Sequence, residues 1–117
     1  HLKLLVDHRE DLVGERTRIQ SRLRWHLHEL MPEHLVPLRT LHRFHVLEDL
    51  RTRLDALDGP VAAIARELVE RTRELTVRIN ELTREITALV SELAPTLLGL
   101  QGCGPLSAAK LVAEPLA

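Results

Sequence analysis

The chain has 117 residues, 44 % of them hydrophobic and 28 % charged, which suits one modest domain of the ordinary helical class. Its formal net charge of −1 excludes a general attraction to nucleic acid, so any basic surface must be local. The only aromatic residues, Trp25 and Phe44, are too few for a β-sandwich or barrel, and no apolar run is long enough to span a membrane. We therefore expect an all-α fold, an elongated helical bundle or coiled coil.

The first predicted element is a long helix over residues 1–31. Apolar side chains recur along it at spacings of three, four or seven, and Arg9 and Arg16 fall on the same stripe. Gly14 lies within this helix and weakens it by roughly 1 kcal/mol relative to alanine. Pro32 ends it.

The same helix contains the densest positive charge in the chain, because four arginines fall within nine residues that contain no acid: Arg16, Arg18, Arg22 and Arg24. On a helix, Arg18, Arg22 and Trp25 share one flank, where guanidinium groups suit phosphate and an indole can stack on a base. We predict that the four arginines and Trp25 bind nucleic acid. The alternative is that the arginines are solvated, with stems that cover the edge of the core, and that Trp25 is a packing residue.

After a connector broken by prolines, a second helix is predicted over residues 45–57, with leucines at spacings of three and four. The histidines of this half of the chain suggest a metal site only weakly. His26 and His28 would face different sides of a helix, whereas His42 and His45 could share a metal if both were helical. No acid or cysteine falls at a recognised ligand spacing from either pair, so we predict no metal site.

The longest predicted helix covers residues 60–94 and has two apolar columns at heptad spacing. Asp58 is its predicted cap, Pro60 its first turn and Pro95 its stop signal. We expect Glu67 and Arg71, and likewise Glu74 and Arg78, to pair at i,i+4.

A seam of a and d positions on this helix is predicted to join two chains: Leu68, Leu75, Ile79, Leu82, Ile86, Leu89 and Leu93. The neighbouring e positions carry no charge, so the apolar face is wider than a dimer seam requires. A helix buried in a bundle therefore remains an equal alternative, and the two interpretations are compatible if two chains build one bundle.

The chain closes with a Gly-x-Gly-Pro hairpin between two short apolar helices, within residues 95–117. The amides near Gly104 would face an anion at a helix start, as in a helix-hairpin-helix that grips a DNA phosphate without reading bases. We count Gly102, Gly104 and Lys110 among the predicted nucleic-acid-binding residues. The alternative is a plain corner between two helices.

The order of these segments resembles a known family. The segments that carry the resemblance are residues 4–13 (LLVDHREDLV), the arginine-rich residues 16–24, the heptad helix, and residues 98–104 (LGLQGCG). They resemble the middle of bacterial insertion-sequence transposases that pair an N-terminal RuvC-like DEDD domain with a C-terminal transposase domain, a group that includes bridge-RNA-guided recombinases. The resemblance covers essentially the whole chain.

The resemblance implies that the chain is a fragment, with residues 1–94 as the coiled-coil linker and 95–117 as the start of the transposase domain. The acidic metal ligands of such an enzyme would lie before His1 and its catalytic serine after Ala117, so the fragment would hold no catalytic residue and no cofactor. A divalent metal is implied for the absent RuvC-like domain. DNA, a guide RNA and a second copy of the chain are the implied partners, in the bacterial cytoplasm.

Two functions from different classes follow. The leading hypothesis is a non-catalytic dimerisation and nucleic-acid-binding fragment of a transposase or recombinase that moves an insertion sequence. The alternative is a purely structural dimeric helical scaffold. A hydrolytic enzyme is least supported, since no acid, base and nucleophile converge at a usable spacing.

Overall fold

The computed structural model describes residues 1–34 and 36–93, except for the side chains of Leu38 and Leu93. Over this part of the chain it has three α-helices, a single short 3₁₀ helix and no strand: α1 (Leu2–Leu30), the 3₁₀ helix Leu38–Thr40, α2 (Phe44–Asp55) and α3 (Pro60–Leu93). The predicted all-α class is confirmed. The predicted helix-hairpin-helix, with Gly102, Gly104 and Lys110, lies outside the described residues.

α3 begins at Pro60 as predicted, but its N-cap differs from the prediction by one residue. Gly59, not Asp58, occupies the N-cap position, because the Gly59 carbonyl accepts the first intrahelical hydrogen bond from the Ala63 amide at 3.1 Å. Gly59 has a φ of 106°, a left-handed conformation that only glycine adopts without strain. Pro60 is the first helical residue, where its missing N–H is not needed.

The end of α2 also differs from the prediction, since Leu57 lies beyond the last helical residue. At this end of α2, the guanidinium of Arg66 donates the hydrogen bonds that the amides of a further helical turn would otherwise supply. Its Nη1 atom donates to the carbonyl oxygens of Leu54 at 2.8 Å and Leu57 at 2.9 Å. A cation on these carbonyls also suits the negative end of the helix dipole.

The described residues form two compact units. The first unit combines His1–Val13 with the described part of Arg78–Ala117, and its buried apolar residues include Leu2 and Val6 of α1 and Ile86 and Val90 of α3. The second unit is Gly14–Val77. Its core draws on α1, the connector, α2 and α3: Leu23, Leu27, Leu41, Leu47, Leu50, Leu54, Ala65, Leu68 and Val69.

The predicted seam of α3 is buried within the single chain. Leu68 and Leu75 are buried in the second unit, and Ile79, Leu82 and Ile86 in the first. Leu89 is half-buried. The e positions Ala62, Val69, Thr76 and Val90 are buried as well, so the covered face is a/d/e wide, as the bundle alternative expects. Burial of the seam therefore needs no second chain, and the dimer stays a prediction.

The arginines on the apolar stripe of α1 pair with threonines of α3. In the first unit, Arg9 Nε donates to Thr83 Oγ1 at 2.9 Å. In the second unit, Arg16 Nη1 donates to Thr76 Oγ1 at 3.1 Å. Each threonine hydroxyl donates in turn to a carbonyl four residues earlier, so it is satisfied as donor and acceptor. Among the described residues, no buried polar side-chain atom lacks a partner.

The surface ion pairs of α3 differ from the predicted i,i+4 pairs. Arg71 pairs with Glu15 of α1 at 2.8 Å and with Glu74 at 3.4 Å. Arg78 pairs with Glu81 at 3.2 Å and approaches Glu85 at 3.7 Å. Long charged side chains on an exposed face can form ion pairs of similar energy with several partners. The helical spacing alone therefore does not decide which pair forms.

Candidate nucleic-acid interface

The solvent side of α1 carries a cluster of unneutralised positive charge. Arg18, Arg22 and Arg24 are exposed, and in the described part of the chain no acidic side chain pairs with them. Trp25 lies on the same face, seven residues after Arg18 and three after Arg22, and its relative exposure is 72 %. We call Arg18, Arg22 and Trp25 the arginine face; Arg24 is about 160° from Arg22 around the helix, on the flank that carries His28. All four residues belong to the second unit.

Arg16, which the sequence grouped with these residues, lies elsewhere. It is half-buried and donates to Thr76 across the helix pair. Position 16 falls on the stripe that packs against α3, whereas position 18 is about 200° further around the helix. The structure therefore brings together Arg18, Arg22 and Trp25, places Arg24 on a neighbouring flank of α1, and assigns Arg16 to helix packing.

Several other arginines of the described chain are paired with acids. Four arginines have carboxylate partners within 4.0 Å: Arg51 with Glu70, Arg53 with Asp49, Arg71 with Glu15, and Arg78 with Glu81. The side-chain hydrogen bond to Glu15, followed by the charge of that carboxylate, raises the pKa of Arg71. The arginine face lacks this compensation, so its charge is available to an anion from solution.

An open groove of about 670 Å³ adjoins the arginine face. We call it the Trp25 groove. It is lined by the end of α1 and the following connector, all within the second unit. Its polar lining residues are Ser21, Arg24, His28 and His34, and its apolar ones are Trp25, Leu27, Met31, Val36, Pro37 and Leu41.

The floor and the rim of the Trp25 groove differ in chemistry. Leu27 and Leu41 are buried core residues, so the floor is apolar. The ionisable side chains that line the groove are Arg24, His28 and His34, without a carboxylate. Asp49 lies 3.8 Å from His34 Nε2, but Arg53 already pairs with this carboxylate at 2.9 Å. An apolar floor with an arginine on its rim suits a flat ligand that carries negative charge.

The histidines of this groove were not predicted as candidate anion ligands, because histidines were considered only as metal ligands or as structural and surface residues. The available signal was a second acid-free stretch, residues 34–47, after the arginine-rich helix. His42 precedes α2 and His45 lies in its first turn, so they do not share one helix face. Among the described residues no group of three or more potential ligands could hold a metal ion.

The described helices include none that combines the length and apolarity needed to cross a membrane. Comparisons of the chain with protein-family models, with curated proteins and with solved structures found no match. The case for a function therefore rests on the arginine face and the groove beside it.

Proposed function

We propose that the chain is a non-catalytic nucleic-acid-binding segment of an enzyme that recombines DNA, in line with its resemblance to insertion-sequence transposases. The observation that supports this most is the arginine face, where Arg18 and Arg22 carry exposed charges that lack an acidic partner in the described chain, as does Arg24 on the neighbouring flank. Planar guanidinium groups form paired hydrogen bonds with phosphate oxygens. Such contacts position a nucleic acid without reading its sequence.

The second candidate function is a structural helical scaffold without a nucleic-acid role. Arg16 favours it, since its hydrogen bond to Thr76 uses positive charge of α1 for packing rather than for a ligand. In this case the remaining arginines of α1 are solvated, with their stems on the edge of the core. The scaffold would bind no nucleic acid even at low salt.

A salt series separates the two functions. We expect the chain to bind duplex DNA and structured RNA with log K falling linearly against log salt, because each phosphate that an arginine neutralises releases counterions. The double variant Arg18→Ala/Arg22→Ala should bind more weakly, with a slope reduced by about 0.9 for each duplex phosphate that is no longer neutralised. The matched control is Arg73→Ala/Arg84→Ala, which removes the same charge from exposed positions of α3.

The control variant should keep the slope and most of the affinity of the wild type. If Arg18→Ala/Arg22→Ala binds both nucleic acids as tightly as the wild type at low salt, the arginine face is only a solvated helix surface. If the wild type itself binds neither, the scaffold function is the better description.

We also propose that the chain self-associates, although the seam predicted to join two chains is already buried within one chain. A second chain would have to replace the chain's own helices on the seam, by exchange of helices between two copies. Sedimentation equilibrium over a wide concentration range tests this directly. A mass that stays at one chain throughout would remove dimerisation from the proposal and leave nucleic-acid binding in place.

A further inference from the structure

The only tryptophan of the chain is exposed beside an apolar groove. Trp25 has a relative exposure of 72 %, and single exposed apolar residues are common on protein surfaces. The combination is more specific here, because the same side chain lines a groove of about 670 Å³ whose floor includes the buried Leu27 and Leu41. This volume is in the range of sites that enclose small ligands.

The charges around the groove restrict what it can hold. Arg24 lines the groove next to Trp25, and His28 follows it by one helical turn. Ser21, on the same wall, donates its hydroxyl proton to the Thr17 carbonyl at 3.2 Å, so the donors on this wall are those of Arg24 and His28. A cationic ligand would find no carboxylate among the groove's lining residues, whereas a phosphate next to a flat apolar ring matches both rim and floor.

We infer that the Trp25 groove binds an unpaired nucleotide of a single-stranded nucleic acid, with its base against the Trp25 indole and an adjacent phosphate on Arg24. This inference rests on the proposed function and narrows it to the class of nucleic acid. A base inside a duplex cannot reach the groove, because both of its faces are already stacked. Aromatic side chains bind the exposed faces of unpaired bases in this way, with little dependence on sequence.

The composition of the chain provides a direct probe. It contains one Trp and no Tyr, so the tryptophan emission of the full chain comes from Trp25 alone. In the free protein we expect an emission typical of exposed indole and strong quenching by acrylamide. Addition of a short oligo(dT) or oligo(U) should quench this emission and protect Trp25 from acrylamide, whereas a blunt duplex should do so much less at equal saturation and inorganic phosphate should leave the emission unchanged.

Variants add an affinity measurement that does not depend on fluorescence of the indole. With end-labelled oligonucleotides, Trp25→Ala should weaken binding of the single strand about tenfold, as expected when one base is no longer stacked. Its duplex affinity should be unchanged, and Trp25→Phe should retain most of the single-strand affinity. The matched control Val77→Ala, at another exposed apolar position of the second unit, should leave both affinities as they are.

The outcomes distinguish this inference from the proposed function. If Trp25→Ala binds the single strand as tightly as the wild type, or if the single strand binds without changing the Trp25 emission, the groove is not the base site while phosphate binding stands. If Trp25 in the free protein is already shielded from acrylamide, another part of the chain or a second copy fills the groove, and the inference is wrong. If no nucleic acid binds at low salt, the proposed function fails and the inference with it.

Comparison of oligo(U) with oligo(dU) identifies the source of the strand. Equal affinities would support a site that recognises only base and phosphate, as the residues of the groove suggest. Tighter binding of the RNA strand, with Trp25 quenched by both, would support the same site with an additional contact to the 2′-hydroxyl.

Discussion

Gly14 and Gly59 differ in whether their backbone conformation allows a residue with a side chain. Gly14 lies in the middle of α1, and a Cβ built on it would be 3.5 Å from Arg18 Nη1, an ordinary van der Waals contact. Gly59 precedes α3 with a φ of 106°, and a Cβ there would meet nothing within 4 Å. Gly14 is thus dispensable in the folded chain, whereas Gly59 is required by its backbone angle rather than by space.

We predict that the same substitution has opposite effects at the two glycines. Gly14→Ala should raise the free energy of unfolding by about 0.5–1 kcal/mol, because alanine is the better helix former and restricts the unfolded chain. Gly59→Ala should lower it by about 1 kcal/mol, because a left-handed conformation strains an L-residue. Urea unfolding of both variants measures the two effects. A destabilised Gly14→Ala would contradict the open environment described for Gly14.

Arg66 is a second residue whose role depends on the fold. We predict that Arg66→Met lowers the free energy of unfolding by about 1–2 kcal/mol, because the carbonyls of Leu54 and Leu57 would no longer accept from a half-buried donor. The control Arg73→Met, at an exposed position of the same helix, should change stability by less than about 0.5 kcal/mol. Equal effects of the two substitutions in a denaturant titration would mean that the Arg66 hydrogen bonds contribute nothing.

At the scale of the elements, α1 and α3 contact each other through apolar layers that arginine–threonine pairs interrupt. In the second unit, Arg16 of α1 contacts Thr76 of α3, whereas Leu23, further along α1, shares a core with Val69, earlier on α3. The two helices are therefore antiparallel there. Polar groups on an otherwise apolar seam favour one register, since any shift would leave them without a partner.

We predict that the Arg9–Thr83 pair of the first unit is energetically coupled. Thr83→Val removes the acceptor of Arg9 while it keeps the shape of the side chain, and a double-mutant cycle with Arg9→Met should give a coupling of about 1 kcal/mol. Thr87→Val is the matched control, because the Thr87 hydroxyl donates to the Thr83 carbonyl of its own helix. A cycle between Arg9 and Thr87 should give a coupling near zero. Equal couplings in the two cycles would show that the Thr83 contact is not specific.

At the scale of the whole molecule, the seam of α3 is part of the chain's own core. Most of its described a, d and e positions are buried within the two units, without help from a second copy. A long amphipathic helix cannot remain folded in water alone, and here the other helices of the same chain supply its apolar environment. The stability of the fold should therefore depend on the seam whatever the number of chains.

We predict that Leu82→Asp unfolds the chain or lowers its free energy of unfolding by at least about 3 kcal/mol, because the carboxylate would replace a fully buried side chain and find no partner. The control Ala88→Asp introduces the same charge at an exposed position of the same unit and should change stability little. Circular dichroism during heating measures both. A folded Leu82→Asp variant that is merely unable to self-associate would instead identify the seam as an interface between chains.

Much of the fold was predictable because helical propensity and hydrophobic periodicity act over short distances along the chain. The spacing of leucines and isoleucines placed α1 and α3 within a residue of their observed ends, with Pro32 and Pro60 marking two of the boundaries. The face of α1 that carries Arg18, Arg22 and Trp25 followed from the same helical geometry. The cap at Gly59 was missed because Asp58 offered a stronger local signal than the backbone angle that the turn requires.

Pairing across long distances in the sequence was decided only by the tertiary structure. Arg9 meets Thr83 over a separation of 74 residues, and Arg16 meets Thr76 over 60, contacts that depend on the register between α1 and α3 rather than on the sequence near either arginine. The sequence by itself determined which residues are helical and which faces are apolar, since these depend on neighbours within one or two turns. The tertiary structure decided what covers each face, which arginines are neutralised, and that a groove lies beside Trp25, because each depends on where separate helices meet.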